Sequence, residues 1–465
     1  NVTITVASEH DNTVLESVSF EVIDNTHIIE RLKEVAEEVK DSLPTEATEK
    51  INFIFQKDEV KVRYQTTDEN VISRGGAVSP QKGDITVTVT ITVSIEDISH
   101  QVTKDILVKG YNLKDITNRK LTFTYLYSQS FTGFNEGDLD KIDVINLSFG
   151  VISNYRVVTS GISQRNEIIT EAHQNGVRVV LAIGGWGVNG FSESIENEAS
   201  RAIFIKSIMD VIKEHKYDGI DLDWEYPTKV YDTVTGTLKN GNPNDKRNFT
   251  IFIQNLRKEM DKYDEDLILS MAVPASAGAA TLYYEMNLIN NSIDYVHIMS
   301  YDLIAYALGE NTNHHTNIFS SSKGGDAGAD GAIKAYISAG LSKSKVVVGV
   351  AFYGHAFYNV ASGSTDGYGV KSSTVTTDKG TATYKNIQAQ YINNPDYQVY
   401  FDEKAIATWL YGKNTFISFD DERSINAKAE YVFDNGYGGL MCWEYNQDAD
   451  DSTLLNAMYN SLNSK

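Results

Sequence analysis

The chain has 465 residues, 41% of them hydrophobic, which is enough for a real core and for one to three domains. Its net charge of −22 argues against nucleic acid and anionic membranes and favours a neutral or cationic partner. The single cysteine, Cys442, excludes an internal disulfide, and no stretch is long and apolar enough to span a membrane.

Asn1 opens in mid-strand with no signal peptide before it, so the start reads as trimmed. Residues 1–118 differ in pattern from the rest. The run VTITV at 2–6 recurs at 89–93, each time followed by a polar turn and another apolar strand, as tandem domains would have it. Between the copies lie an amphipathic helix (Ile28, Leu32, Val35, Val39) and strands near 51–55 and 60–64. The stretch 62–108 resembles bacterial Ig-like modules, with 1–23 completing a fold begun upstream or packing on its neighbour. All four tryptophans lie after residue 118, so this mostly β region reads as a spacer and not as a sugar-binding module.

From Lys120 apolar strands alternate with helices, as a parallel barrel requires. Strands are expected over 121–127, 142–151, 177–183, 218–227, 267–273, 293–301, 345–353 and 439–445. Helices are expected over 164–174, 202–215, 248–263 and 332–339. The loop 228–246, rich in Gly and Asn and carrying Tyr231, suits a flexible cleft wall. Glycines at 324–331 lack the GK[ST] ending of a phosphate loop. The stretch from 355 to 420 is more than a plain barrel needs between its last two strands.

The most informative stretch is 218–227, DGIDLDWEYP. On a strand, Asp221, Asp223 and Glu225 share one face while Ile220, Leu222 and Trp224 share the other. Three carboxylates spaced at roughly 6–7 Å cannot all ionise cheaply, so at least one proton is retained above its ordinary range. Retained on Glu225, it makes a general acid. A solvated acidic edge would not alternate with large apolar residues, and hard-metal sites usually gather ligands from flexible loops.

Asp218, Asp221, Asp223 and Glu225 spell DxxDxDxE, followed by Tyr226 and Pro227, and this resembles the signature of glycoside hydrolase family 18, the chitinases and their relatives. Met299, Ser300, Tyr301 and Asp302 resemble the MxYD motif of the same family. The resemblance, over about 120–463, implies an α/β fold, a (β/α)8 TIM barrel, with the stretch 355–420 as a small α+β insertion raising one cleft wall. Residues 119–465 are then the catalytic barrel, and 1–118 the Ig-like spacer.

It also implies roles. Glu225 protonates the glycosidic oxygen, Asp223 holds the acetamido N–H, Asp221 shares the resting proton, and Tyr301 fixes the acetamido carbonyl. Trp443 becomes the floor under the sugar, with Trp186, Tyr125 and Phe149 as cleft aromatics and Met299, Asp302 and Tyr226 as further substrate contacts. The nucleophile is the substrate's own acetamido oxygen. No metal or organic cofactor is implied; His297 reads as a hydrogen-bonded core histidine and the other eight histidines show no zinc spacing. The expected partner is chitin or a chitooligosaccharide, with no nucleic acid and no membrane insertion, and the protein is expected to be a monomer that is secreted or displayed at a bacterial cell surface. An endo-β-N-acetylglucosaminidase acting on N-glycans and a chitin-binding lectin that does not cleave are the rival readings. Two departures stand out: Ala182 replaces the serine of SxGG, and His355 replaces the arginine of YGR.

Overall fold

In the strand Ile85–Ile95 the buried side chains are Val87, Val89, Ile91 and Val93, while Thr86, Thr88, Thr90 and Thr92 stay at least partly in solvent. That period of two gives a sheet with one apolar face, which must be covered. In the computed structural model, which describes residues 2–7, 14–20, 25–304, 311–321, 328–361, 365–376 and 382–464, a helix covers it. Thr26–Ser42 buries Leu32, Val35, Ala36 and Val39 against the sheet. The sheet runs Glu46–Ala47, Ile98–Val108, Ile85–Ile95, Val60–Thr66, Gln56–Lys57, with only the first pair parallel. An Ig-like sandwich would set a second sheet against the same stripe, so the cover differs from the expected one. Val2–Ala7 and Val14–Phe20 form a separate antiparallel pair. The expectation that 1–23 completes a neighbouring fold also involves residues 1, 8–13 and 21–23, which lie outside the described residues.

This helix-on-sheet body belongs to the first of two units, Asn1–Asn112; the second is Leu113–Lys465. In the second unit eight strands are paired in parallel: Leu121–Tyr127, Val144–Ser153, Arg178–Gly184, Gly219–Asp223, Ile268–Pro274, Tyr295–Met299, Val346–Ala351 and Gly439–Trp443. The first pairs with both the second and the eighth, which closes the barrel. Most of these strands are nearly continuous in apolar residues because both of their faces are buried. The outward residues pack with the surrounding helices in one large core. The inward ones, among them Phe123, Val180, Ile268, Val347 and Met441, fill the barrel. All eight carboxyl ends therefore open on one side.

The expected helices appear as Arg165–Gln174, Glu198–His215, Asp245–Tyr263 and Asp330–Ser338, joined by Glu422–Asn435 and Thr453–Asn463. The expected flexible wall after the fourth strand is instead a hairpin, Lys229–Asp232 with Thr237–Asn240. The insertion between the seventh and eighth strands is an antiparallel sheet from His355–Val360 to Thr415–Phe419 with the short helix Tyr384–Ile387. Of the glycine stretch at 324–331, residues 324–327 lie outside the described residues.

The unit boundary falls before Leu113 and not at 118, and the reason is local. Lys114 Nζ donates to the carbonyls of Leu139, Asp140 and Ile142 at 2.6, 3.1 and 2.9 Å. Its backbone N–H donates to Gly176, and its carbonyl accepts from Arg178. Ile116 packs on the barrel's inner core. Hydrogen bonds from a charged donor contribute about 1.5–3 kcal/mol each. A chain beginning at Arg119 should therefore be less stable than one beginning at Leu113 by roughly 2–4 kcal/mol in denaturant unfolding; equal stability would return the boundary to 118.

Candidate active site

The fourth strand carries Asp221 into the middle of the barrel, where it is fully buried. Register decides its neighbours. Ala182 of the third strand and Ser270 of the fifth lie beside it. Ser270 Oγ donates to Asp221 Oδ1 at 2.7 Å, and Tyr125 OH donates to Oδ2 at 2.8 Å. Ala182 offers no hydroxyl from the other flank, so Ser270 is the serine that serves this carboxylate. Burial lifts the Asp221 carboxyl from 3.8 to about 6, against the lowering effect of those two hydrogen bonds. His297 Nε2 lies 3.8 Å from Oδ1 and 3.4 Å from Asn146 Nδ2. Burial pushes its imidazole down to about 3, so it stays neutral, as a core histidine should.

Asp223, one step further along the same face, ends the strand and is 4% exposed. No donor among the described residues reaches its Oδ1. Burial, then Glu225, then Asp221 hold its carboxyl well above the ordinary range. Gly184 makes this close approach feasible: a Cβ there would sit 2.0 Å from the Asp223 carbonyl oxygen. The Gly185 N–H donates to that same oxygen at 2.8 Å. Glu225 stands just past the strand end, half-buried. Asp218 has a different task, accepting from Val179 N–H at 2.8 Å and pairing with His173 Nε2 at 2.7 Å at the strand's start.

Around the acids the neighbouring strands supply aromatic and sulfur groups. Tyr301 is 8% exposed, and its hydroxyl lies 3.8 Å from Met441 Sδ. After burial itself, Asp223, Asp302 and Glu225 all raise its phenol further. Met299 is part of the same inner cluster. Trp443 ends the eighth strand, stacked on Phe149 at 5.6 Å and tilted against Tyr125 at 5.7 Å. Asp302, with φ at +56°, accepts at Oδ1 from Tyr353 OH at 2.5 Å and contacts His355 Nε2 at 2.8 Å.

Further out, Trp186 is 58% exposed and meets Tyr231 of the hairpin edge-on at 5.7 Å. Tyr226 stacks on Tyr283 at 5.6 Å. The inner strands thus gather Asp221, Asp223, Tyr301, Met299, Phe149 and Trp443. Tyr226 lies beside Glu225, its phenol pushed up by burial and then by the Glu225 carboxylate that its hydroxyl hydrogen-bonds, while Trp186 stands exposed. Tyr125 needs correction as a cleft aromatic: it is 2% exposed and its hydroxyl is spent on Asp221, so it positions the acid from below. Sequence reasoning missed Ser270 and Tyr353. Ser270 had a signal, a lone hydroxyl at an inward position of ILSMAV; Tyr353 had only its place before Gly354.

The model of the family described as Glycosyl hydrolases family 18 matches residues 121–448. Chitinase A1 of Niallia circulans is 30% identical over 65% of this chain and 44% of its own length. Chitotriosidase-1 of Mus musculus is 30% identical over 60% of each chain. The chain thus spans about half the length of these curated relatives. Among solved structures, a family 18 N-acetylglucosaminidase from Paenibacillus barengoltzii superposes with a TM-score of 0.66 at 28% identity, covering 74% of this chain and all of its own. Chitinase ChiW from Paenibacillus sp. str. FPU-7, a bacterial cell-surface-expressed multi-modular enzyme, covers 90% of this chain and 39% of its own at a TM-score of 0.63 and 26% identity. Acid signature, closed barrel and matched span agree: the chain belongs to glycoside hydrolase family 18.

Proposed function

We propose that the barrel hydrolyses β-1,4-linked N-acetylglucosamine polymers, chitin and its oligosaccharides, with retention at the anomeric carbon. The observation that carries this reading is the pair of buried carboxyls, Asp221 and Asp223, on one face of the fourth strand, with a half-buried Glu225 just past its end. The chitinase names of the relatives support the substrate class.

The protonated Glu225 gives its proton to the glycosidic oxygen as the C1–O bond breaks. The acetamido carbonyl oxygen of the same sugar bonds to C1, closing an oxazolinium ring. Asp223, turning toward that ring, accepts the N–H whose positive charge is growing; Asp221 then takes the proton that Asp223 no longer needs. Tyr301 OH donates to the acetamido oxygen and aims it, and Trp443 supports the apolar face of the sugar. Glu225, now a carboxylate, takes a proton from water, whose oxygen attacks C1 and reopens the ring. We further propose that residues 1–112 serve as a spacer, that one chain suffices for activity because it holds every group assigned, and that it acts outside the cell.

Glu225→Gln should lower kcat on chitooligosaccharides by about 10²–10⁴ or more while leaving their binding, read by calorimetry, nearly unchanged. Wild-type-like turnover would move the acid role elsewhere.

A second expectation follows from the nucleophile. Proton NMR of the first-formed sugar should show the β-anomer, a thiazoline mimic should inhibit competitively, and fully deacetylated chitosan should resist cleavage. An initial α-anomer would mean direct attack by water.

Asp221 also sets a pH dependence of stability. Its carboxyl titrates near 3.8 when unfolded and about 6 when folded, so its favourable contribution is complete below about pH 4 and is lost as pH rises through 6. The loss is roughly 3 kcal/mol. Relative to the wild type, Asp221→Asn should therefore gain stability between pH 4 and pH 8, by urea unfolding, while losing activity; a pH-independent difference would contradict the buried-acid account.

A further inference from the structure

Tyr301 is followed by Asp302, and around that carboxylate the fold assembles two imidazoles from distant parts of the chain. His355 Nε2 lies 2.8 Å from Asp302 Oδ1. The ring of His315 stacks on that of His355, centroids 3.9 Å apart and planes at 22°. One donor atom from each of the three residues lies within 4.8 Å of the other two. We propose that Asp302, His315 and His355 form a binding site for a divalent transition-metal ion of the zinc, nickel or copper class, and that filling it inhibits the enzyme.

The donor set carries the choice of ion. Two neutral imidazoles and one carboxylate suit zinc, copper and nickel, whereas calcium and magnesium want oxygen ligands. The donors are near enough for such an ion. Metal–ligand bonds of about 2.0–2.1 Å in a tetrahedral site put donor atoms about 3.3–3.5 Å apart, so the three must draw in by about 1 Å, and because an imidazole lone pair lies in its ring plane, one of the two stacked rings must also turn for both to reach one ion. The imidazoles are held on fixed backbone. His355 begins an insertion strand and pairs in register with Ser418. The His315 N–H donates to Ser418 Oγ at 3.1 Å, and its carbonyl accepts from Leu303 N–H at 3.0 Å. Tyr353 OH, donating to Asp302 Oδ1, is the outer-sphere contact that orients a ligating carboxylate. Both imidazoles are buried, but the Asp302 side chain is 37% exposed, which gives an ion a path from the cleft.

Binding places the ion between His355 Nε2 and Asp302, so the proton there moves to Nδ1 or to solvent. The Asp302 amide reaches His315 Nδ1 only at 3.5 Å, a contact that costs little to give up. Three protein ligands leave a fourth position for water or a sugar hydroxyl. The inhibitory effect rests on the catalytic reading above. Asp302 follows Tyr301 in the chain, and Asp302, Asp223 and Glu225 all act on the Tyr301 phenol, so a doubly charged ion held at Asp302 adds to the same field and opposes retention of the proton that Glu225 must deliver. Arginine in the place of His355 would fill this corner with a guanidinium, which cannot ligate a metal.

The test uses the full chain, stripped with EDTA and desalted. Zn2+ is titrated by calorimetry, and Co2+ is followed by its visible absorption as a probe of nitrogen and oxygen ligation. The expected result is one saturable ion per chain, weakened at least tenfold by each of His315→Ala, His355→Arg and the near-isosteric Asp302→Asn, all checked for folding by circular dichroism. Each protein's rate with Zn2+ is compared with its own metal-free rate, and only the wild type should be inhibited tenfold or more and recover with EDTA. No saturable binding, or undiminished binding in any folded variant, overturns the site; binding without inhibition overturns the regulatory part. Binding by a wild type that cleaves no chitooligosaccharide supports the site and defeats the functional reading instead.

Discussion

Everything at the carboxyl end of this barrel depends on holding two carboxyl groups out of water at its centre. Asp221 has no exposed surface and Asp223 almost none. Ionising either one there is costly, and ionising both is worse, because each adds to the other's field. The barrel meets that constraint with donors aimed at one acid only. Ser270 and Tyr125 serve both oxygens of Asp221, while Asp223 Oδ1 has no donor among the described residues. Asp221 is thereby the better anion and Asp223 the better keeper of the proton. A side chain poised in this way is free to turn when a better partner arrives.

The interior around the acids mixes buried polar and apolar side chains. Asn146, Asp221, Ser270 and His297 are buried beside the apolar and aromatic side chains that fill the barrel, among them Phe123, Val347 and Met441. His297 stays neutral because charging it would mean burying a cation, even with Asp221 nearby. Within about 6 Å the ring of His297 meets those of Phe123 and Tyr125 at steep angles. These ring contacts fill the space beside Asp221 and help keep it in place.

The rim is anchored by a second buried charge. Lys428 and Asp420, both without exposed side-chain surface, meet at 2.7 Å. Asp420 also accepts from Ala351 N–H at the end of the seventh strand, from Ser424, and from Thr316 in the segment that carries His315. Lys428 Nζ reaches Thr316 Oγ1 as well. A pair with all its remaining hydrogen-bonding sites served can repay its desolvation, and removing one partner would strand the other. This pair ties the end of the insertion to the strands on which Tyr301 and Tyr353 stand.

The eight strands were legible in the sequence because a strand buried on both faces leaves an apolar run, and the outermost limits differ from the structure by a few residues where strands fray into loops. The acid pair was legible for a related reason: a strand's period of two puts Asp221 and Asp223 on one face whatever surrounds them, whereas the strand ends at Asp223 and Glu225 stands beyond the reach of that period. Period alone could not say what covers a one-sided sheet, so the helix Thr26–Ser42 in place of a second sheet came only with packing. Nor could it place Lys114 in the barrel unit, since its carbonyl partners lie on a loop after the first strand. Tyr125 read as a cleft aromatic because inward parity does not specify depth along the barrel. The meeting of His315 and His355 at Asp302 lies furthest from anything local: these residues are separated in the chain and share no period or motif. Local patterns in a sequence record which face a side chain takes; which side chains from different strands meet on that face is set by register and closure, and those exist only in the folded barrel.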